Sequence, residues 1–319
     1  MESHVQSAHH LTSPTPFLSD GGLETWLIYT KGHHLPLFAA FPLLATPGGC
    51  RDLQEYYIQY LQDAEVLGMG SVLSTPTWRS STRWGGDLGY TQEQVDWFNR
   101  EAVKLVKSVA EVAKDGMKIV VDGQIGPMED GYRPEAKHCV EACKNYHKRQ
   151  VEVLSEAGVD IVTAATLTTW EEGVGVTMAA RECGVQMAVG FTVELDGKLP
   201  SGDTLEEAIK KVDKLTDEYP SYYMVNCAHP DHISKALEKE GKWKEKVKAF
   251  RVNASRKSHE ELDSMETLDE GDVDELGDLT VKLGQMVPHT VLLGGCCGTR
   301  ADHIRNIGQK WKQAREEQL

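Results

Sequence analysis

The amino-acid sequence predicts an α/β protein of the (β/α)8, or TIM barrel, class folded as a single domain. Three observations carry this expectation. Short β-rich runs alternate strictly with amphipathic helical stretches, there are eight of each, and no linker-like segment divides the 319 residues. Strict alternation calls for right-handed crossovers and parallel strands. Closing eight such strands leaves no unpaired edge, and chains of this length suit that closure. An open doubly wound sheet is the competing arrangement. It would usually carry a glycine-rich phosphate turn after its first strand, and Asp20-Gly21-Gly22-Leu23-Glu24-Thr25 does not complete that fingerprint.

The strands are expected at Pro16–Asp20, Gly70–Ser74, Lys118–Asp122, Asp160–Ala165, Met187–Val193, Ser221–Asn226, Lys248–Asn253 and Thr290–Gly294. Each is rich in β-branched, aromatic or long apolar residues and is bounded by polar or glycine-containing turns. The helices are expected at Arg51–Leu67, Gln92–Ala113, Lys137–Ala157, Glu171–Cys183, Thr204–Asp217, Asp231–Lys239, Asp274–Val287 and Ala301–Trp311. Apolar residues recur at helical spacing in the first two: Leu53, Tyr57, Tyr60, Leu61 and Ala64, then Val95, Phe98, Ala102, Leu105 and Val109. Thr91 with Gln94, and Thr204 with Glu207, have the spacing of capping boxes. The acid-rich segment Glu260–Asp278 is expected to be a solvated loop. Residues 1–15 are expected to form a flexible leader, residues 16–312 the barrel, and residues 313–319 a C-terminal tail.

No run of about 18 apolar residues suggests a membrane span, and Met1 to Pro16 lack the apolar core of a secretory signal. A cytoplasmic protein is expected. The formal net charge of −15, without a basic stripe, disfavours nucleic acid as a partner. The expected partners are small molecules, and the sequence leaves the oligomeric state open. Seven cysteines in a chain without an export signal do not make a disulfide framework. Cys50, Cys139, Cys143 and Cys183 are expected to be small core residues.

The other three cysteines fall where a barrel of this class keeps its chemistry, at the C-terminal ends of strands. Cys227 ends the sixth strand, and Cys296 and Cys297 follow the eighth. One intervening strand puts the two walls about 10 Å apart. Three thiolates at about 2.3 Å leave one position of a tetrahedral zinc ion free, which is the mark of a catalytic site. Adjacent cysteines do not point the same way from a regular strand, and Gly294, Gly295 and Gly298 would allow the chain to bend there. Three buried cysteines or a vicinal disulfide are the alternatives. His229 could fill the open position or simply enter the next helix.

The chain resembles the homocysteine S-methyltransferase family, from Phe17 to Ile307. The resemblance rests on Asp20-Gly21-Gly22-Leu23 with Thr25, on Asn226-Cys227, on Asn253, and on the Gly294–Thr299 run. It implies a TIM barrel with zinc on Cys227, Cys296 and Cys297. It also implies that Asp20 and backbone groups near Gly21 and Gly22 bind the amino-acid part of homocysteine, with Thr25, Asn226 and Asn253 at the same site. Three places depart from the family. Ala164-Ala165-Thr166 stands where members carry a Glu-Thr pair whose Glu contacts the acceptor's amino group. Thr75-Pro76 replaces Thr-Asn, and Arg251-Val252-Asn253 replaces Tyr-Pro-Asn.

Thiolates, not thiols, are the nucleophiles in methyl transfer, and zinc coordination deprotonates a bound thiol. The expected donor is an onium compound, most simply S-methylmethionine or S-adenosylmethionine, and homocysteine would become methionine. Such a donor favours aromatic faces and carboxylates. Trp78, Trp170 and Glu194 follow the second, fourth and fifth strands and are candidates for its binding; packing anchors and a turn residue are their other readings. Competing functions are transfer to another thiol or selenol, zinc-dependent hydrolysis, or a non-enzymatic zinc- or thiol-binding barrel.

Overall fold

The computed structural model describes residues 15–132, 138–265 and 267–317. Eight parallel strands close in sequence order into a barrel. They are β1 (Phe17–Leu18), β2 (Gly70–Ser74), β3 (Ile119–Ile125), β4 (Ile161–Leu167), β5 (Met187–Phe191), β6 (Tyr222–Asn226), β7 (Val247–Val252) and β8 (Leu292–Gly295). Phe17 pairs with Gly70 on one side and Leu292 on the other, which closes the ring. Side chains alternate across each strand. Phe17, Val72, Val120, Ile161, Tyr222, Met224 and Leu292 therefore fill the inside as one apolar cluster. The opposite faces meet the helices in a second, larger cluster.

The helices are α1 (Leu23–Tyr29), α2 (Pro47–Leu67), α3 (Thr82–Asp87), α4 (Gln92–Ala110), α5 (Val140–Glu156), α6 (Trp170–Cys183), α7 (Leu205–Thr216), α8 (Pro230–Ala236), α9 (His259–Asp263), α10 (Val273–Met286) and α11 (Ala301–Glu316). Both expected capping boxes form, at Thr91 of α4 and Thr204 of α7. The sequence reading missed α1, α3 and α9, which are short and lie in loops at the barrel mouth. A third capping box, Ser258 with Glu261, starts α9 just before the region read as solvated loop, and the helix runs into it. α11 continues to Glu316, so helix occupies 313–316 of the expected tail. The expected leader up to residue 14, residue 137 of the helix expected at Lys137–Ala157, residue 266 of the expected loop, and residues 318–319 of the expected tail lie outside the described residues. Among the described residues no helix is long and apolar enough to cross a membrane.

Candidate active site

A cavity of about 310 Å³ opens at the C-terminal end of the strands. Cys227, Cys296 and Cys297 line it together with Glu24, Thr25, Trp78, Arg79, Tyr132 and Thr166. Leu262, Met265 and Leu268 of the β7–α10 segment cover one side of it. That segment, expected to be solvated, is thus part of the cavity wall.

Each cysteine is held by its backbone. Cys227 follows β6 with φ of +57°, a left-handed conformation that L-residues adopt at a cost. The surroundings hold it there. Its N–H donates to the Arg251 carbonyl at 3.0 Å. Its carbonyl accepts from Asn253 Nδ2 at 3.0 Å, His259 Nε2 at 2.8 Å and Thr192 Oγ1 at 3.2 Å. His259 is fixed in turn by Glu194, whose Oε1 lies 2.9 Å from Nδ1, and by Tyr132, stacked on it at 4.3 Å. On the other side of β7 the Cys296 N–H donates to Val252, and the Cys297 carbonyl accepts from Ala254 N–H. Gly298 turns the chain at φ +79°. Gly294 and Gly295, also expected to bend, have no positive φ and lie in or at the end of β8, where they allow close approach instead.

The three Sγ atoms lie within 4.8 Å of one another, and no other potential metal-binding group of three was found among the described residues. Cys227 and Cys296 are joined as a disulfide, while Cys297 is free and 3.9 Å from Cys227. Two thiolates on a tetrahedral zinc sit about 3.8 Å apart, so the reduced trio fits the ion. Opening the disulfide would complete the set. Burial pushes the Cys297 thiol up to about 11, so without a cation it stays protonated at neutral pH. His229 does not line the cavity. Its Nδ1 caps α8 by accepting from Asp231 N–H, and burial lowers its pKa to about 4. Of the cysteines expected in the core, Cys143 is buried, Cys50 and Cys183 are half-buried, and Cys139 is exposed.

The residues expected at the substrates divide. Trp78 lines the cavity, but Arg79 covers one face of its ring at 4.2 Å, and its Nε1–H donates to the Ala165 carbonyl. Trp170 is absent from the cavity wall. It begins α6, with Lys211 over its ring at 4.7 Å. Glu194 also stays outside and acts on Cys227 through His259. Asn253 touches the Cys227 carbonyl, whereas Asn226 exchanges two hydrogen bonds with Thr166, itself at φ +66°.

Asp20, expected to meet the acceptor, is 4% exposed and does not line the cavity. Burial raises its pKa, opposed by Arg251, whose guanidinium binds it directly. Arg251 also reaches Ser74 Oγ and the Gly295 carbonyl, both at 3.1 Å. The backbone near Asp20 is occupied as well. Gly21 accepts from Tyr56 Oη–H, and the Gly22 N–H donates to Thr299. A Cβ on Gly22 would come within 2.6 Å of the Cys296 carbonyl, so only glycine lets these loops touch. Thr25 Oγ1 accepts from Gly298 N–H and donates to the Gly22 carbonyl, tying the same two loops together. Glu24, Arg79, Tyr132, His259 and Arg251 were not singled out from the sequence as site residues. Arg251 had a signal, as a charged residue replacing Tyr near Asn253; the others had none.

A family model described as homocysteine S-methyltransferase matches residues 17–311. Homocysteine S-methyltransferase 2 of Zea mays is 24% identical over 311 residues, covering 90% of this chain and 87% of that protein. Homocysteine S-methyltransferase 1 of Arabidopsis thaliana is 24% identical over 319 residues, covering 92% and 93%. Among solved structures, the metallated form of the homocysteine methyltransferase MmuM from Escherichia coli has a TM-score of 0.72 at 19% identity, covering 96% of this chain and 99% of that one. Its oxidized form has a TM-score of 0.74 at 19% identity, covering 94% and 97%. At such identities these two establish the shared barrel. The family match spans nearly the whole chain, and the chain belongs to the homocysteine S-methyltransferase family.

Proposed function

We propose that this protein is a zinc-dependent S-methyltransferase that moves a methyl group from an onium donor to the thiol of homocysteine, giving methionine. The observation that carries the reading is the convergence of Cys227, Cys296 and Cys297 on one cavity. When bound there, zinc would hold the acceptor sulfur as a thiolate. The chain's own residues then have three tasks. Asn253, His259 and Thr192 hold the Cys227 backbone and so aim its sulfur. The β7–α10 segment, with Leu262, Met265 and Leu268, gives the donor's side of the cavity an apolar cover. Trp78, half-buried in the cavity wall, offers its ring to the cationic donor. In the transfer a new S–CH3 bond forms as the donor's onium–CH3 bond breaks. The donor leaves as a neutral thioether or amine, and no proton moves in that step.

S-Methylmethionine and S-adenosylmethionine are the donors favoured. The test uses protein reduced before zinc is added, so that Cys227 and Cys296 are free. Methionine formation is followed with homocysteine and each donor, including betaine. Methionine should appear with a sulfonium donor. Zinc-loaded protein that makes none with any donor would overturn the assignment.

A further inference from the structure

The acceptor's ammonium group lacks its expected partners. Ala165 supplies no carboxylate, and its carbonyl is taken by Trp78. Asp20 is neutralised by Arg251 and sealed from the cavity. Glu24 differs from both. It lines the same cavity as the three cysteines and is half-buried. Among the described residues no Lys, Arg or His nitrogen lies within ion-pair distance of it, whereas Arg79 and Arg251, the guanidinium groups acting on it, are engaged by Asp130 and Asp20. Asp130 and Asp269, on the same wall, already face Arg79 at 2.7 Å and Lys257 at 3.4 Å.

We propose that Glu24, not Asp20, receives the ammonium group of the amino-acid acceptor, so that the carboxylate missing from the end of β4 is supplied from the first turn of α1. This rests on the function proposed above. Burial is the largest influence on Glu24 and pushes it up to about 7; Asp20 adds to this, while Arg251 and Arg79 oppose it. A half-buried carboxylate in that state gains most from an arriving cation, because the cation replaces the solvation it has lost. Glu24 lines one cavity with Cys296 and Cys297, and Gly22, two residues before it, packs against the Cys296 carbonyl, which sets the start of α1 beside the sulfur-bearing loop. Homocysteine carries its ammonium a short chain away from its thiol. One molecule can therefore present both groups to one wall.

The test compares wild type, Glu24→Gln and Glu24→Asp as reduced, zinc-loaded protein. Two acceptors are used: homocysteine, and 4-mercaptobutyrate, which keeps the thiol and carboxylate but lacks the amine. The Michaelis constants of both acceptors and of the donor are measured, and binding of each acceptor is followed by calorimetry. Glu24→Gln should raise the homocysteine constant about ten-fold or more. It should change the 4-mercaptobutyrate and donor constants less than about two-fold and leave zinc content intact, and Glu24→Asp should recover part of the loss. Equal losses for both acceptors would overturn the inference, and so would a loss confined to the donor. If wild type transfers no methyl group, the calorimetry still decides. Homocysteine binding that needs both Glu24 and the amine upholds the inference while the proposed reaction falls. Binding indifferent to Glu24 overturns it.

Discussion

The two sides of the cavity are built differently. The β6–β7 side holds Cys227 through three donors on one carbonyl, and one of them, His259, is backed by stacked Tyr132 and by Glu194 on its Nδ1. The residues quoted as family pattern on this side, Asn226, Cys227 and Asn253, are all present and all make structural bonds. The β1–β4 side departs at Ala165, and there Asp20 is locked in an ion pair with Arg251, the departing residue of β7, two strands round the barrel from β1. Holding a sulfur requires a fixed backbone, which several hydrogen bonds specify together. Holding an ammonium group requires one accessible carboxylate, which neighbouring positions can supply in turn.

The largest expected effect falls on the cysteine side. Reduced wild-type protein should carry about one zinc per chain. Cys227→Ser or Cys296→Ser should remove most zinc and activity, beyond the roughly 10–100-fold cost of losing an outer hydrogen-bonding partner. Cys183→Ser should leave both nearly intact. Full metal content in the Cys296→Ser protein would break the assignment.

Next in size is the buried pair of the other side. Arg251→Met strands Asp20 without its cation and should cost about 3–5 kcal/mol in denaturant unfolding. Adding Asp20→Asn should recover much of that. If Arg251→Met alone unfolds like wild type, the pair is not what occupies Asp20.

Glu24 should reveal itself through pH. Its folded-state pKa, about 7, lies above the ordinary 4.5. The folded protein therefore binds this proton more tightly, and the stability so gained is present below about 4.5 and lost as pH rises through 7. Glu24→Gln removes that loss. Metal-free Glu24→Gln protein should melt higher than wild type at pH 8 and similarly at pH 4.5, by at most about 3 kcal/mol before solvent screening. Equal melting at both values would mean that burial does not act on Glu24 as described.

The smallest effect concerns the donor. Trp78→Leu should weaken a sulfonium donor by about 0.5–2 kcal/mol while sparing zinc, and Trp170→Leu should not change donor binding. A donor constant that responds to Trp170→Leu would reverse their placement.

The barrel was legible because strand and helix patterning is local and repeats eight times. The three cysteines were legible because their residue type is uncommon and strand ends are predictable. Other features depend on contacts that no local pattern carries. Arg251 meets Asp20 across 231 residues of sequence. Trp78 and Trp170 have the same standing in the sequence, and only the tertiary path turns one into the cavity and the other toward Lys211. Tyr132 and His259 become partners of Cys227 only after distant loops converge on the barrel mouth.

The barrel's closure has a consequence for how the protein comes into being. The loop after the first strand and the loop after the last are stitched to each other by Gly22, Thr25, Gly298 and Thr299. Two of the three sulfurs sit in the later loop. A chain emerging from the ribosome therefore presents Cys227 long before it has companions, and a lone thiol cannot retain the ion. On the function proposed, metal capture would wait until residues near 300 are free to return to the first loop. A nascent chain halted before Cys296 should be metal-free however well its first seven strands have formed, so that bound metal would mark a closed barrel.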